Sequence, residues 1–405
     1  MPEFVPGLEL CRLYYEEAVR PIIDRAFPSL LYAAARIGPG SEILGFDTEM
    51  STDHDWGPRL LLFLENDSPV TESDRIDSPK LGGQGAQAID SPKLGGRGAQ
   101  SIDSLKLGGR GACLAEAIRE TLSRQLPSTF RGYPTGYSPN EDGTLALDSS
   151  NTGPVRHNVE TIALSAFFRA YLDFDIRQEI RPADWLTFPE QKLRTIASGA
   201  VYHDAIGLND VRSRFAYYPR DVWLYLLAAA WNRIGQEEHL MGRAGFIGDD
   251  IGSALIGARL VRDLMRLCFL MERQYAPYPK WFGTAFHRLD CAPKLEPLFR
   301  EALRSETWQE REAALVQAYD IVAAMHNALE VTDLLPTVAR PFYNRPFRVI
   351  HLEADFAGAL CREIHDPAVK QIADRRLVGS IDQFSDSTDI LSAAEWRQTL
   401  RGLYE

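Results

Sequence analysis

The first apolar pattern of the chain runs through residues 8–36. Leucine, tyrosine, valine and isoleucine recur there mostly at spacings of three and four, which is the period of one helix face. Pro21 and Pro28 interrupt the pattern. The spacing therefore predicts a helix over residues 8–36, in which the stretch 31–37 is compatible with either the last helical turn or a strand.

Strand patterns follow at two places. Residues 59–64 are predicted to be a strand, because Arg59 is followed by the continuous apolar run 60–64, which ends in a polar turn. Residues 155–164 alternate before a helical pattern over 165–172. Between them, residues 113–126 have the spacing of an amphipathic helix, and residues 140–143 are typical of a hairpin turn. Sheet and helix are therefore mixed in the first part of the chain.

Beyond residue 172 the pattern is helical for most of the chain. Long helices with an apolar face are predicted over residues 221–240, 252–275, 294–304, 308–330 and 356–364. Helices of this length joined by short loops indicate an antiparallel bundle. Residues 379–389, rich in serine and aspartate, are predicted to be an acidic loop.

A tandem repeat of 13 residues separates the first predicted strand from the helix that follows. Its copies begin at Asp77, Asp90 and Asp103, and each contains Lys-Leu-Gly-Gly. Glycine-rich polar sequence buries too little apolar surface to offset the entropy of ordering the chain. We therefore predict a disordered insertion over residues 70–112.

Charge and composition narrow the functional classes. The 405 residues carry a net charge of −12, which disfavours a nucleic-acid-binding protein because such a protein needs a basic face for phosphates. The five cysteines are scattered without a Cys-x-x-Cys pair, and no apolar run is long enough to span a membrane. These features predict a cytoplasmic protein with reduced thiols and no membrane partner, and they leave the oligomeric state open.

The stretch from Gly40 to Asp55 carries the candidate chemistry. A Gly40-Ser41 turn can bring backbone N–H groups close to a phosphate, because glycine has no Cβ in the way. Asp53 and Asp55 are two residues apart, so on extended chain their side chains point to the same side. Both carboxylates could then reach one hard cation such as Mg²⁺ at a nucleotide.

Gly40, Ser41, Gly45, Asp53 and Asp55 resemble the signature of the nucleotidyltransferase superfamily of the polymerase-beta type. The segment from Tyr275 to Gly283 is similar to an uncharacterised bacterial branch of that superfamily. The resemblance implies an α+β fold, in which a small mixed-sheet domain over residues 1–180 precedes an antiparallel helical bundle over residues 181–405.

The resemblance also implies a third carboxylate on a later strand beside the aspartate pair. Glu160 is the candidate, since alternation places it on the same face as Arg156 and Asn158. A solvent-facing glutamate on an edge strand is the alternative. Asp173 and Asp175 are further candidates for the same role.

Lys280 is the candidate cation of the helical part. It lies between aromatic residues and prolines in Tyr-Ala-Pro-Tyr-Pro-Lys-Trp-Phe-Gly, which favours a stiff loop. Lys280 could neutralise nucleotide phosphate. The alternative is that the aromatic rings fill a core and the ammonium group only extends to solvent.

The function implied is Mg²⁺- or Mn²⁺-dependent transfer of a nucleoside monophosphate from an NTP, with ATP expected, to a hydroxyl of a small-molecule acceptor. Asp53, Asp55 and Glu160 would hold the metal ion, and Gly40, Ser41 and Lys280 would bind phosphate. Two alternatives remain open. One is a non-catalytic protein of this fold that binds a nucleotide or a partner, and the other is nucleotidylation of a protein or RNA.

Overall fold

The computed structural model describes residues 3–65, 109–141, 143–150 and 153–405. Most of the predicted repeat insertion, residues 70–108, lies outside these residues. Its last residues, 109–112, belong to a helix, so the predicted insertion extends too far at its C-terminal end.

Within the described residues the strands are short, and several of them pair as hairpins. In chain order they are β1 (Tyr32–Arg36), β2 (Arg59–Leu64), β3 (Thr129–Phe130), β4 (Tyr133–Pro134), β5 (Gly136–Pro139), β6 (Leu145–Asp148), β7 (Asn158–Ala163), β8 (Ala200–Asp204), β9 (Arg340–Pro341) and β10 (Arg348–Val349). The pairing of β5 with β6 confirms the predicted hairpin.

The helices of the first half begin at the N-terminus. They are α1 (Gly7–Tyr14), α2 (Arg20–Ala26), α3 (Gly109–Gln125), α4 (Leu164–Leu172), α5 (Pro182–Thr187), α6 (Glu190–Ser198) and α7 (Leu208–Ser213), and a π-helical turn (Tyr15–Val19) joins α1 to α2. The second half contains α8 (Arg220–Phe246), α9 (Asp250–Met271), α10 (Pro279–Phe286), α11 (Ala292–Arg304), α12 (Trp308–Ala328), α13 (Phe356–Arg362), α14 (Pro367–Arg375), α15 (Ile381–Phe384), α16 (Thr388–Ser392) and α17 (Arg397–Arg401). The five long helices predicted beyond residue 172 are confirmed, within a few residues at their ends.

The chain folds into two compact units that interleave along the sequence. The sheet unit comprises the described residues within Met1–Glu179, Lys192–Ala216 and Ser387–Trp396. The helical unit comprises Ile180–Gln191, Tyr217–Asp386 and Arg397–Glu405. The predicted division at residues 180 and 181 is a single cut in sequence, whereas the chain passes between these units several times.

A four-stranded mixed sheet in the order β7-β2-β1-β8 organises the sheet unit. β1 is antiparallel to both β2 and β8, and β2 is parallel to β7 through the crossover helix α3. Leu60, Leu62 and Leu64 pack in one core with α1, α2 and α3, whereas Phe63 meets Phe167 of α4 at 5.4 Å between ring centroids. β2 is thus buried on both faces, which explains its continuous apolar sequence.

β1 decides between the two alternatives left open for residues 31–37 in favour of the strand, and it shortens the helix predicted over residues 8–36. The helical segment ends at Ala26, just before Pro28, and Tyr32–Arg36 is a strand. Its three alanines are fully buried between β2 and β8. Alanine favours helix intrinsically, so tertiary pairing overrides local preference here.

The helical unit is built around the neighbouring helices α8 and α9, with α11, α12 and α13 packed against them. Asp249 caps α9, because its carboxylate accepts the Gly252 N–H at 2.8 Å. Mixed sheet in one unit and packed helices in the other confirm the predicted α+β class. Among the described helices, none combines the length and apolarity that crossing a membrane requires.

Candidate functional site

The sheet topology gathers three sequence segments at one end of the sheet. β1 ends at Arg36 and the antiparallel β2 begins at Arg59, so the connection between them lies at that end. It contains Gly40, Ser41, Asp53 and Asp55. The parallel strand β7 begins at the same end, where its Glu160 is in register with Leu61 of β2.

The Gly40-Ser41 turn offers unpaired backbone donors. The Ser41 carbonyl accepts the N–H groups of Leu44 at 3.2 Å and Phe46 at 3.1 Å, which closes a tight turn after it. In the part of the chain that the structure describes, the N–H groups of Gly40 and Ser41 have no hydrogen-bond partner. Unpaired N–H groups in a turn can bind an anion. The predicted role in phosphate binding stays a prediction.

Asp53 and Asp55 do not lie on extended chain, so that part of the prediction is wrong. Asp53 ends a 3₁₀ turn (Glu49–Asp53), and Asp55 has a φ of 47° in the left-handed region. A tertiary contact fixes the second aspartate: Asp55 donates its N–H to the Leu145 carbonyl at 2.7 Å and accepts the Leu145 N–H on Oδ1 at 3.0 Å. Asp53 is exposed, and its Oδ1 lies 2.9 Å from His54 Nδ1.

The donor set still suits a hard cation in part. Both aspartates offer carboxylate oxygens, and Mg²⁺ in proteins is commonly held by one or two carboxylates together with water and substrate phosphate. The described residues bring no three His, Cys, Asp or Glu side chains together as a metal site, and so they do not gather Asp53, Asp55 and Glu160 in that way. Metal binding by Asp53 and Asp55 therefore stays a prediction.

The alternatives to Glu160 have structural partners. Asp175 accepts from Arg169 Nη2 at 2.9 Å and Arg177 Nη2 at 2.5 Å. Asp173 ends α4 in a left-handed conformation with φ 50°. Glu160 lies on β7 and lines a cavity of about 30 Å³ together with Arg36, Arg59 and Asn158. Asp175 therefore serves two arginines, and the role of Glu160 as a third carboxylate stays a prediction.

A buried carboxylate that the sequence analysis missed supports the Gly40-Ser41 turn. Glu42 is 3% exposed, and its Oε1 lies 2.7 Å from Nη2 of both Arg36 and Arg59. Burial alone would raise the pKa of Glu42, but Arg59 and Arg36 outweigh it and lower that pKa. Arg36 also donates to the carbonyls of Ile37 at 3.1 Å and Pro39 at 2.5 Å, which lead into the turn.

The position of Glu42 beside the turn requires glycine at position 40. Gly40 has a φ of 149°, and a Cβ there would lie 2.4 Å from Glu42 Oε2. We expect Gly40→Ala to destabilise the sheet unit by about 2 kcal/mol through backbone strain and this clash. The control is Gly38→Ala, where φ is 90° but the nearest atom is 3.5 Å away. Urea unfolding followed by circular dichroism measures both, and an equal loss in the two variants would contradict the clash.

Lys280 belongs to the helical unit and is not in a loop. Pro279 begins α10, so Lys280 lies in its first turn, and the predicted stiff loop is wrong from that point on. The side chain is exposed, with Nζ 5.2 Å from the centroid of the Trp281 ring. Proline at the first helical position explains the helix start. Binding of phosphate by Lys280 stays a prediction.

The helical unit also contains a buried pair of carboxylates that sequence reasoning missed. The Glu190 N–H donates to Asp382 Oδ2 at 2.9 Å, and both side chains are 5% exposed. Glu190 accepts from the Ala276 N–H at 3.1 Å, and Arg266 Nη1 lies 3.8 Å from its carboxylate. Burial, reinforced by the charge of Asp382, raises the pKa of Glu190 to about 7.

Asp382 corrects the prediction of an acidic loop over residues 379–389. Residues Ile381–Phe384 form the short helix α15, and burial raises the pKa of Asp382. The sequence contains one sign of this helix: Ile381 and Phe384 are three residues apart, which is a helical spacing. A single such pair is too little to predict a helix.

Comparison with known proteins gives limited information. A family described as a domain of unknown function, DUF4037, matches residues 185–282, which is about a quarter of the chain. No curated protein matches the sequence. A solved structure of a nucleotidyltransferase-like protein from Exiguobacterium sibiricum 255-15 is similar at a TM-score of 0.31 and 11% identity, over 77% of this chain and 75% of that one. A similarity of this size carries no argument about function.

Proposed function

We propose that the protein is a Mg²⁺-dependent nucleotidyltransferase, which moves a nucleoside monophosphate from an NTP to a hydroxyl of a small-molecule acceptor. ATP is the expected nucleotide, and Mn²⁺ is a possible substitute for Mg²⁺. The observation that supports this proposal is topological. The Gly40-Ser41 turn, the Asp53/Asp55 pair and the start of the strand that carries Glu160 lie at the same end of one mixed sheet.

The proposed roles follow from the chemistry of each group. The unpaired N–H groups of Gly40 and Ser41 bind the terminal phosphates of the nucleotide. Asp53 and Asp55 hold the metal ion, which when bound would neutralise charge on the triphosphate. Glu160 accepts the proton of the acceptor hydroxyl. A bond forms between the acceptor oxygen and the α-phosphorus while the bond from that phosphorus to the β-phosphate bridge breaks, and pyrophosphate leaves.

The metal–nucleotide site can be tested by calorimetric titration with a non-hydrolysable ATP analogue, with and without Mg²⁺. We expect Mg²⁺ to strengthen binding by about tenfold or more, equal to ~1.4 kcal/mol, and the double variant Asp53→Asn/Asp55→Asn to lose that gain. The control is Asp24→Asn, which changes an exposed aspartate that pairs with Arg20, and it should bind as the wild type does. Binding that is absent from wild type, or identical in the double variant, would overturn the proposal.

A second candidate is nucleotide binding without turnover. It is favoured by the conformation of Asp55, whose carboxylate and backbone are both engaged with Leu145. Release of pyrophosphate from ATP separates the two functions. Mg²⁺-dependent binding without pyrophosphate release over a panel of alcohol acceptors would favour the binding protein.

A further inference from the structure

Two cysteines that the proposed function does not use lie side by side in the helical unit. Cys268 lies in the last turn of α9, and Cys291 directly precedes α11. Their exposed fractions are 0% and 7%. A hydrogen bond joins the two side chains, and both are free thiols. Two oxidisable groups are therefore in contact at one buried place.

Glu272 holds the backbone on both sides of this pair. Its N–H donates to the Cys268 carbonyl at 2.9 Å, as expected for residues one helical turn apart. Its carboxylate accepts the N–H groups of Asp290 at 2.8 Å and Cys291 at 2.9 Å. Residues i and i+4 of a helix lie on the same face, so Cys268 faces the segment that Glu272 binds. The approach of the two thiols is therefore supported by main-chain hydrogen bonds as well as by their own contact.

Aromatic packing closes the segment between the two cysteines. The ring centroid of Phe286 in α10 lies 6.3 Å from that of Phe269 in α9 and 5.6 Å from that of Phe299 in α11. α10 thus contacts both the helix before it and the helix after it. A disulfide needs an S–S distance of about 2 Å. Because the ends of the segment are already together, the two thiols reach that distance by side-chain rotation, without movement of a helix.

Cys291 is the thiol that a small oxidant meets first, because it is the more exposed of the two. Burial raises the pKa of Cys268 well above its ordinary value, and Cys291 and Glu272 raise that pKa further. Cys268 is therefore a protonated thiol, which is a poor nucleophile toward an external oxidant. Its position beside Cys291 suits it instead to react with an oxidised neighbour.

We propose that Cys268 and Cys291 form a modification site, at which hydrogen peroxide converts the two thiols into one intrachain disulfide. The Cys291 sulfur attacks a peroxide oxygen, the O–O bond breaks, and Cys291 becomes a sulfenic acid while one water leaves. The Cys268 sulfur then attacks the Cys291 sulfur, and the hydroxyl group leaves as a second water with the proton of Cys268. Each cysteine sulfur loses one electron in total, and the peroxide accepts both.

The disulfide would close a loop around α10, which carries Lys280. In the thiol form this segment is held to α9 and α11 by noncovalent contacts, so it can open locally. In the disulfide form the two ends of the loop cannot separate. Oxidation is therefore expected to restrict the segment between the two cysteines. This inference does not depend on phosphate binding by Lys280 or on the proposed transferase activity.

Peptide mapping of the full chain tests the bond. The reduced protein is treated with hydrogen peroxide under native conditions, the remaining thiols are blocked with iodoacetamide in urea, and the unreduced digest is analysed by mass spectrometry. We expect one linked species that contains Cys268 and Cys291 and is lighter by two hydrogen atoms than the two separate peptides. Recovery of these peptides unlinked, under conditions that oxidise the exposed Cys113, would overturn the proposal. A bond from either cysteine to a different partner would overturn it as well.

Two variants show whether the bond fits the native fold. We expect oxidation to raise the melting temperature of the wild type and of Cys361→Ala by about 5–10 °C, and a reducing agent to reverse the change. Cys361 is a matched control, because it is a partly buried thiol in α13 of the same unit. Cys291→Ala lacks one of the two sulfurs, so its melting temperature should not rise. A linked species that melts at or below the temperature of the reduced protein would show that the bond distorts the fold, and would contradict the proposal.

Hydrogen exchange of the α10 amides, measured by mass spectrometry, tests the restriction of this segment. We expect exchange to be slower by about tenfold in the oxidised wild type than in the reduced one, because opening at the loop ends is blocked. Cys291→Ala should show the same exchange before and after peroxide. Equal exchange in the two forms of the wild type would contradict the restriction of α10.

Discussion

Replacing Glu42 by glutamine is expected to destabilise the sheet unit by about 3–5 kcal/mol. The substitution keeps the shape of the side chain but removes the negative charge between Arg36 and Arg59, which are both about 5% exposed. Two buried guanidinium groups then lack a counter-charge. Hydrogen exchange of the β1 and β2 amides, measured by mass spectrometry, reports the loss within the sheet unit.

Two further variants make the cause of this loss testable. Glu16→Gln removes an exposed carboxylate that is also 2.5 Å from an arginine, Arg12, and should change stability by less than about 1 kcal/mol. Adding Arg59→Met to Glu42→Gln should recover part of the loss, because it removes one uncompensated charge. The charge argument is wrong if Glu42→Gln is as stable as the wild type. It is also wrong if the double variant is less stable than Glu42→Gln.

The stability of the helical unit is expected to fall as the pH rises from about 4.5 to about 7, by up to about 3 kcal/mol. Glu190 has a pKa that is raised by burial above its usual value of 4.5 to about 7. Between these two values the folded state holds a proton that the unfolded state has released. The stabilisation is therefore complete below the unfolded pKa and is lost as the pH passes through the folded one.

Urea unfolding of wild type and Glu190→Gln across this pH range measures the effect. Tryptophan fluorescence reports mainly the helical unit, which contains Trp185, Trp223, Trp231, Trp281 and Trp308. Glutamine resembles the protonated carboxyl group, so the variant should show a much smaller decrease. Glu306→Gln, on the surface of the same unit, should decrease as the wild type does. If the stability of Glu190→Gln falls with pH as steeply as that of the wild type, the role of Glu190 is contradicted.

The groups around Glu190 define how this titration is interpreted. Asp382 opposes ionisation, whereas Arg266, the Ala276 N–H and the Tyr218 hydroxyl favour it. Because Glu190 and Asp382 interact, the observed pKa belongs to the pair rather than to one residue. Asp382→Asn is therefore expected to reduce the pH slope as well.

Local pattern was sufficient for much of the fold. The strand predicted over residues 59–64 matches β2 to the residue, because a strand that is buried on both faces has the continuous apolar sequence of residues 60–64. The long helices of the helical unit are predicted by the spacing of their apolar residues. Local pattern left helix and strand open for β1 and gave no sign of β8, since Tyr32–Arg36 is alanine-rich and becomes a strand through its two neighbours.

The candidate site depends more on contacts between distant residues. The spacing of Asp53 and Asp55 indicated a pair, but the contact of Asp55 with Leu145 sets its backbone, and a local pattern does not contain that contact. Glu42 was missed because an acidic residue in a glycine-containing turn is usually at the surface. Its burial requires the positive charges of Arg36 and Arg59, which lie on two neighbouring strands. The sign available in the sequence was that each of these arginines borders an apolar run.

The place of β8 in the sheet has a consequence for synthesis on the ribosome. β1 pairs on one side with β8, so Ala33 meets Asp204 across a separation of about 170 residues. At about 5–20 residues per second, β8 emerges roughly ten to thirty seconds after β1. During that time one edge of β1 lacks its backbone partners, and an unpaired strand edge is a template for association with other chains. Nascent copies of this protein are therefore expected to depend on chaperones until residue 204 has left the exit tunnel.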